Sequence, residues 1–210
     1  MGIYEKLCEE GYYSQCGQDK LIVETLFPNK NNRTFVDIGA NDGITFSNTY
    51  LLEKMGWTGI TVEPIPLVYE QLAKNRTCIT VSGCVSNTSG KKVFRLASML
   101  SGILDEYDPK HLKRIESECG ECEDILVDSY NINELLKKYN ITHIDYLTID
   151  VEGAETTILN SLDFDQIHVS VIGVENNYNN DNIPTLLTGK GFSFHSTVGD
   201  DFYINSIKRE

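Results

Sequence analysis

Five short runs of β-branched and apolar residues, each followed by a stretch with helical periodicity, restrict this chain to one broad architecture. The runs lie at 34–38, 59–62, 78–81, 144–149 and 169–174. Among the segments between them, apolar residues recur at helical spacing: Leu51, Leu52 and Met55, then Leu67, Val68 and Leu72, then Ile132, Leu135, Leu136 and Tyr139, then Ala154, Ile158, Leu159 and Leu162. A strand with little polar alternation is buried on both faces, and strands alternating with helices form a parallel sheet covered on both sides. The expected fold is therefore α/β, a doubly wound, mostly parallel sheet. Residues 192–195 and 201–204 read as a C-terminal antiparallel hairpin closing one edge. A first helix is expected over 15–27, stopped at Pro28, with a half-exposed strand at 92–96, a helix at 109–117, an edge strand at 124–127 and a short helix at 182–189. No repeat or linker interrupts the 210 residues, so a single domain, 1–210, is expected.

Charge narrows the partners. With 31 acidic against 18 basic side chains, the net charge of −13 disfavours nucleic acid, whose phosphates need Lys/Arg clusters, and disfavours anionic membrane surfaces. No run of apolar residues is long enough to span a bilayer, and the first twenty residues carry acids and tyrosines rather than a basic-then-apolar leader, so a cytoplasmic location is expected. The six cysteines read as free thiols. Cys119 and Cys122 have zinc or redox spacing, but no second pair completes a zinc site, and the acids at 116, 118, 121 and 123 raise thiol pKa rather than lower it.

In a doubly wound sheet, ligands bind beyond the carboxyl ends of the strands. The first run leaves as Asp37-Ile38-Gly39-Ala40-Asn41-Asp42-Gly43. Its glycines allow a tight turn, but two of the three needed for a dinucleotide fingerprint are missing, and the acid before the turn suits a ligand bearing an ammonium group, such as S-adenosylmethionine. The second run ends at Glu63, placed to accept hydrogen bonds from ribose hydroxyls. The third is followed by Gly83, Cys84 and Val85, small enough for an adenine ring to lie against them. The fourth ends in Asp150-Val151-Glu152-Gly153-Ala154-Glu155 and the fifth in Glu175-Asn176. Asp150 and Glu152 are expected at the reacting centre, and Glu155 at a helix N-terminus, where its charge suits the dipole. Asp150, Glu175 and Asn176 form an all-oxygen set suited to Mg²⁺ or another hard cation. A carboxylate can equally act as general base without metal.

These segments resemble the FkbM family of S-adenosylmethionine-dependent methyltransferases. The resemblance rests on Val36-Asp37-Ile38-Gly39-Ala40-Asn41-Asp42-Gly43 and Ile149-Asp150-Val151-Glu152-Gly153-Ala154-Glu155, supported by Ser14-Gln15-Cys16-Gly17-Gln18-Asp19 and Val174-Glu175-Asn176. It implies a Rossmann-like class I methyltransferase fold with a seven-stranded sheet. It also implies a cofactor held by Gln15, Asp37, Gly39, Ala40, Asn41, Asp42, Glu63, Cys84, Val85 and Asp150, with Gln15 and Asp19 closing over it from the N-terminal side. The expected reaction is O-methylation of a sugar or glycan hydroxyl by in-line displacement, in an enzyme fused to or acting with glycosyltransferases. Catechol-type methyltransferases are similar in their strand-end acids but carry a lysine just past the fourth strand; here 151–155 hold none, which leaves Asp150 or Glu152 to act directly.

His195 is an alternative base, and the irregular segment 97–123 is the expected acceptor side. The rival readings are a nucleotide-dependent oxidoreductase or epimerase of similar topology, disfavoured by the missing glycines, and a non-catalytic module that binds a cofactor or a partner.

Overall fold

The computed structural model describes residues 2–28, 30–178 and 181–207. In chain order its elements are α1 (Ile3–Glu10), α2 (Gln18–Leu21), a π-helical turn (Ile22–Leu26), β1 (Thr34–Ile38), α3 (Tyr50–Lys54), β2 (Thr58–Glu63), α4 (Pro66–Asn75), β3 (Ile79–Ser82), β4 (Cys84–Ser86), β5 (Gly90–Leu96), β6 (Gly102–Ile103), α5 (Pro109–Glu118), β7 (Glu123–Asn131), α6 (Ile132–Lys138), β8 (His143–Ile149), α7 (Glu155–Ser161), β9 (His168–Val174), α8 (Asn182–Gly189), β10 (Phe192–Val198) and β11 (Asp200–Asn205).

The main sheet has seven strands in the order β10-β11-β9-β8-β1-β2-β3. All neighbours are parallel except β10 with β11 and β11 with β9. The Rossmann-like expectation, with its C-terminal antiparallel hairpin, is met. The chain winds outward through β1, β2 and β3, then restarts at β8 on the other side of β1. That reversal opens a crevice beyond the carboxyl ends of β1 and β8, where such sheets take ligands.

Alternation of side chains across β1 fixes both faces. Val36 and Ile38 point into the larger core, packed with Ile60, Val62, Leu147, Ile149, Leu135 and Ile158. Phe35 points the other way, against Ile22, Leu52, Trp57, Tyr146 and Phe202. Burying each such side chain stabilises by roughly 1.5–3 kcal/mol, so a one-residue slip of this strand would reverse both faces at once.

Three features depart from the sequence expectation. The helix expected over 15–27 begins only at Gln18 and widens into the π turn, in which Phe27 N–H donates to the carbonyl of Ile22 at 2.8 Å; residues 14–17 are instead occupied in a hydrogen-bonded knot described below. Helix α1 was not foreseen, although Ile3, Tyr4, Leu7 and Cys8 recur at helical spacing; it is two turns long and Leu7 is its one buried residue. The expected edge strand at 124–127 is an inner strand: β7 lies between β4 and β5 in a second, four-stranded sheet, β4-β7-β5-β6. That sheet begins where the chain leaves β3. Gly83 donates its N–H to the Glu63 carbonyl at 3.0 Å, at φ +139°, and β4 follows at once in the other sheet. A side chain here is excluded, since a β-carbon would lie 2.6 Å from the Asp128 carbonyl oxygen.

Candidate active site

A cavity of about 390 Å³ occupies the crevice at the β1/β8 reversal. Its floor is backbone. The N–H groups of Gly39 and Ala40 both donate to the Val62 carbonyl at 3.0 Å, and Asp150 N–H donates to the Ile38 carbonyl at 3.0 Å. The turn after β1 is therefore tied to both flanking strands. Gly39 has φ +93° and Asn41 φ +50°, left-handed conformations that glycine adopts freely and asparagine tolerates.

At one end of the cavity stand Glu63, Pro64 and Ile65 with Gly83, Cys84 and Val85. Glu63 is 5% exposed. Its carboxylate accepts the N–H of Asn41 at 3.0 Å and of Ile65 at 2.9 Å. Burial nevertheless pushes its pKa up to about 7, the two N–H donors offsetting only part of the desolvation.

At the other end stand Asp150, Glu152 and Glu175, with one carboxylate oxygen from each lying within 4.8 Å of the others. Asp150 is open to the cavity, Glu152 and Glu175 half-buried. Desolvation raises all three pKa values, and mutual repulsion raises them further, with Asp200 the largest charge acting on Asp150 and Asp150 the largest on Glu152 and Glu175. Glu175 accepts the amide of Asn177 at 2.5 Å. Glu152 adopts φ +58°, and its Oε2 is buried without a hydrogen-bond partner. Glu155 does not face the cavity as a reactive group. It opens α7 as expected and accepts the N–H groups of Val151 (3.2 Å) and Gly153 (3.0 Å), so it shapes the loop that carries Glu152.

The sequence-derived residues divide as follows. Gln15, Asp37, Gly39, Ala40, Asn41, Glu63, Cys84, Val85, Asp150, Glu152 and Glu175 all contribute to the cavity wall. Asp42 does not. Its carboxylate is taken up by the N–H groups of Ile44 (2.8 Å) and Thr45 (2.7 Å) and by the Thr45 hydroxyl, and it shapes the turn rather than the cavity. Asn176 also lies outside this wall and donates its amide to Asp201 at 3.1 Å, so the third oxygen donor beside Asp150 and Glu175 is Glu152. Asp37 has its carboxylate engaged by the Thr49 hydroxyl at 2.5 Å, and the Arg76 guanidinium, which donates to that same hydroxyl at 3.1 Å, stands behind it. Asp19 is fully buried and accepts from Tyr13 N–H (2.7 Å) and the Ser14 hydroxyl (2.5 Å). It thereby holds the knot that presents Gln15. His195 is exposed on β10 at a break in the β10–β11 register, away from the cavity.

The segment 97–123 contributes Ser98, Met99, Leu100, Ser101, Ile103 and Arg114 to the wall. Sequence reasoning missed His111. It is fully buried, yet it is a lone histidine on a helix otherwise rich in charge; its one signal is the four-residue spacing from Ile115, which marks the buried face of α5. Burial holds its pKa below the usual value.

Comparisons with known proteins bear on the family and the fold. Residues 37–195 match the family model described as "Methyltransferase FkbM domain". A solved methyltransferase FkbM from Methylobacillus flagellatus KT superposes with a TM-score of 0.52 at 11% identity, covering 96% of this chain and 49% of that one. This chain thus spans about half the length of that relative. A TehB-like SAM-dependent methyltransferase from Corynebacterium glutamicum superposes with a TM-score of 0.41 at 13% identity, covering 96% of this chain and 91% of the other. No curated protein matches the sequence.

Proposed function

The chain belongs to the methyltransferase FkbM domain family, and from that premise we propose that it is an S-adenosylmethionine-dependent O-methyltransferase acting on a hydroxyl of a sugar or glycan. The carrying observation is one cavity that runs from Glu63 and residues 83–85, past the 39–41 turn, to three clustered carboxylates. When bound, the cofactor supplies a methyl group on a sulfonium, which is already a good leaving group.

Each residue has a role in this reading. Glu63 accepts the ribose hydroxyls, and Cys84 and Val85 give the flat wall beside the adenine. The backbone of 39–41 lines the place of the amino-acid portion, in a turn that Gly39 lets lie against the Asp150 backbone, with Asp37 supplying negative charge beneath it. Gln15 covers it from the N-terminal knot. Asp150 or Glu152 holds the acceptor hydroxyl and accepts its proton. A positioned general base contributes about 10²–10⁴-fold to rate, and pKa values raised toward neutrality make either group a stronger base than an ordinary carboxylate. Aligning the acceptor against the methyl donor supplies much of the remainder.

Asp150, Glu152 and Glu175 also fit a hard divalent cation such as Mg²⁺, since all their donors are oxygens and Glu152 Oε2 has no hydrogen-bond partner among the described residues. The reading takes 1–210 as one methyltransferase module, with glycosyltransferases supplying its acceptor. Among the described residues no helix is long and apolar enough to cross a membrane.

Isothermal titration with S-adenosylhomocysteine and with NAD tests the cofactor: binding of the first alone is expected, and binding of neither would sink the reading. Transfer of radiolabelled methyl groups from S-adenosylmethionine to a panel of free and glycan-linked sugars tests the acceptor class.

A further inference from the structure

The acceptor-side wall is made of three chain segments that share no strand: the turn at 98–101, the loop at 150–153 and the stretch at 175–178. One side chain touches all three. His111 sits on α5 with no exposed surface, stacked on Tyr107 at 4.8 Å between ring centroids. Its Nε2 lies 3.1 Å from the Leu100 carbonyl oxygen. Only a donor can face that oxygen, so Nε2 carries the proton and Nδ1 is left as an acceptor. Nδ1 lies 3.0 Å from the Tyr178 hydroxyl, which therefore donates to it. The same Nδ1 stands 3.4 Å from Oε2 of Glu152, the oxygen that lacks a hydrogen-bond partner.

Glu152 also holds a left-handed backbone, a conformation that persists in a non-glycine residue only where its surroundings impose it. Glu155 fixes the backbone on one side of it, and His111 limits the side chain from behind. We propose that His111 is a positioning residue for methyl transfer: its hydrogen bonds tie the 98–101 turn to the 175–178 stretch, and its Nδ1, an acceptor already taken by Tyr178 and so unable to bond Glu152, blocks that side and keeps the Glu152 carboxylate turned toward the acceptor. The catalytic half of this statement rests on the methyltransferase reading; the structural half does not.

Three variants test it. H111F keeps a ring against Tyr107 and removes both nitrogen contacts. H111Q retains an amide donor within reach of Leu100. Y178F removes only the hydroxyl on Nδ1. In the full-length protein, amide hydrogen exchange in H111F should accelerate by about tenfold or more in all three segments together, while Y178F affects 175–178 alone and H111Q restores protection at 98–101. Methyl transfer from S-adenosylmethionine to the best sugar acceptor should show kcat reduced by about 10- to 100-fold in H111F, with the KM for S-adenosylmethionine unchanged. Exchange changes confined to α5, or full turnover in H111F, would overturn the proposal. Failure of the wild-type protein to bind S-adenosylhomocysteine would instead overturn the methyltransferase reading and leave the exchange result standing.

Discussion

A β-carbon on Gly39 would sit 1.7 Å from the carbonyl oxygen of Asp150. The loops leaving β1 and β8 therefore meet backbone against backbone, and the position that shapes the cofactor turn is the same one that seats a candidate catalytic acid.

Gly39→Ala should be severe. The substitution adds a left-handed backbone cost of about 1 kcal/mol to an overlap costing about 1–3 kcal/mol. Thermal unfolding should show a stability loss of about 3 kcal/mol, and calorimetry should show loss of S-adenosylhomocysteine binding.

Stability should fall as pH rises through the near-neutral range. Glu63 and Glu155 titrate at about 7 in the folded protein, both raised by burial, against 4.5 for an ordinary glutamate. Between those values the folded state holds more protons than the unfolded one, so the free energy of unfolding decreases with rising pH. The clustered Asp150, Glu152 and Glu175 shift in the same direction. Glu53 acts oppositely but in a lower window: its burial is outweighed by hydrogen bonds from Thr77 and Arg76, which hold it at about 2, so its contribution fades only as pH drops below about 4.5. The melting temperature should be higher near pH 5 than at pH 8, as scanning calorimetry can measure.

Removing one carboxylate from the trio separates metal binding from simple repulsion. Glu175→Gln should stabilise the metal-free protein at pH 8 by about 1 kcal/mol, because burial and the neighbouring carboxylates raise the Glu175 pKa and a neutral amide removes the cost of keeping that group protonated. If a divalent cation binds there, millimolar Mg²⁺ should raise the melting temperature of the wild-type protein at pH 8 and leave that of the variant unchanged. A wild-type melting curve indifferent to the cation would remove the metal from the mechanism.

The opposite end of the sheet provides a control. Asp145 is 3% exposed and accepts from Arg33 at 2.6 Å and from Thr34 N–H at 2.9 Å. Asp145→Asn should cost about 2 kcal/mol of stability, as expected for weakening a largely buried, charge-assisted pair. S-adenosylhomocysteine affinity should be unchanged, since this network lies at the amino end of β8 while the cavity lies at its carboxyl end.

The middle of the main sheet was readable because β1, β2, β8 and β9 are largely buried on both faces, and burial of that kind leaves unbroken apolar runs such as the one at 144–149. The strand-end turns were readable because their chemistry is local: Gly39, Asn41 and Glu63 converge within a few residues of strand ends that the pattern already marks. The second sheet was not. β4 and β6 have three and two residues, too few for a periodic signal, and the pairing of Phe94 with Ile125 spans most of the irregular segment. Asp42 and Asn176 carry suitable side chains in the right segments, but local partners occupy them: the Ile44 and Thr45 N–H groups for one, Asp201 for the other. His111 could be recognised only through contacts with Leu100 and Tyr178, residues that sequence places 11 and 67 positions away.

The passage of the chain through Gly83 has a consequence for how affinity is distributed. Glu63 and Ile65 come from the main sheet and its second crossover, while Cys84 and Val85 come from the second sheet, so the corner proposed for the nucleoside is a seam between two sheets that share one core. A ligand seated across a seam rivets them together, and its hold depends on how well each sheet keeps its place. A core change behind the cavity wall, at Val127 in the second sheet, should then be felt as weaker cofactor binding although Val127 does not line the cavity.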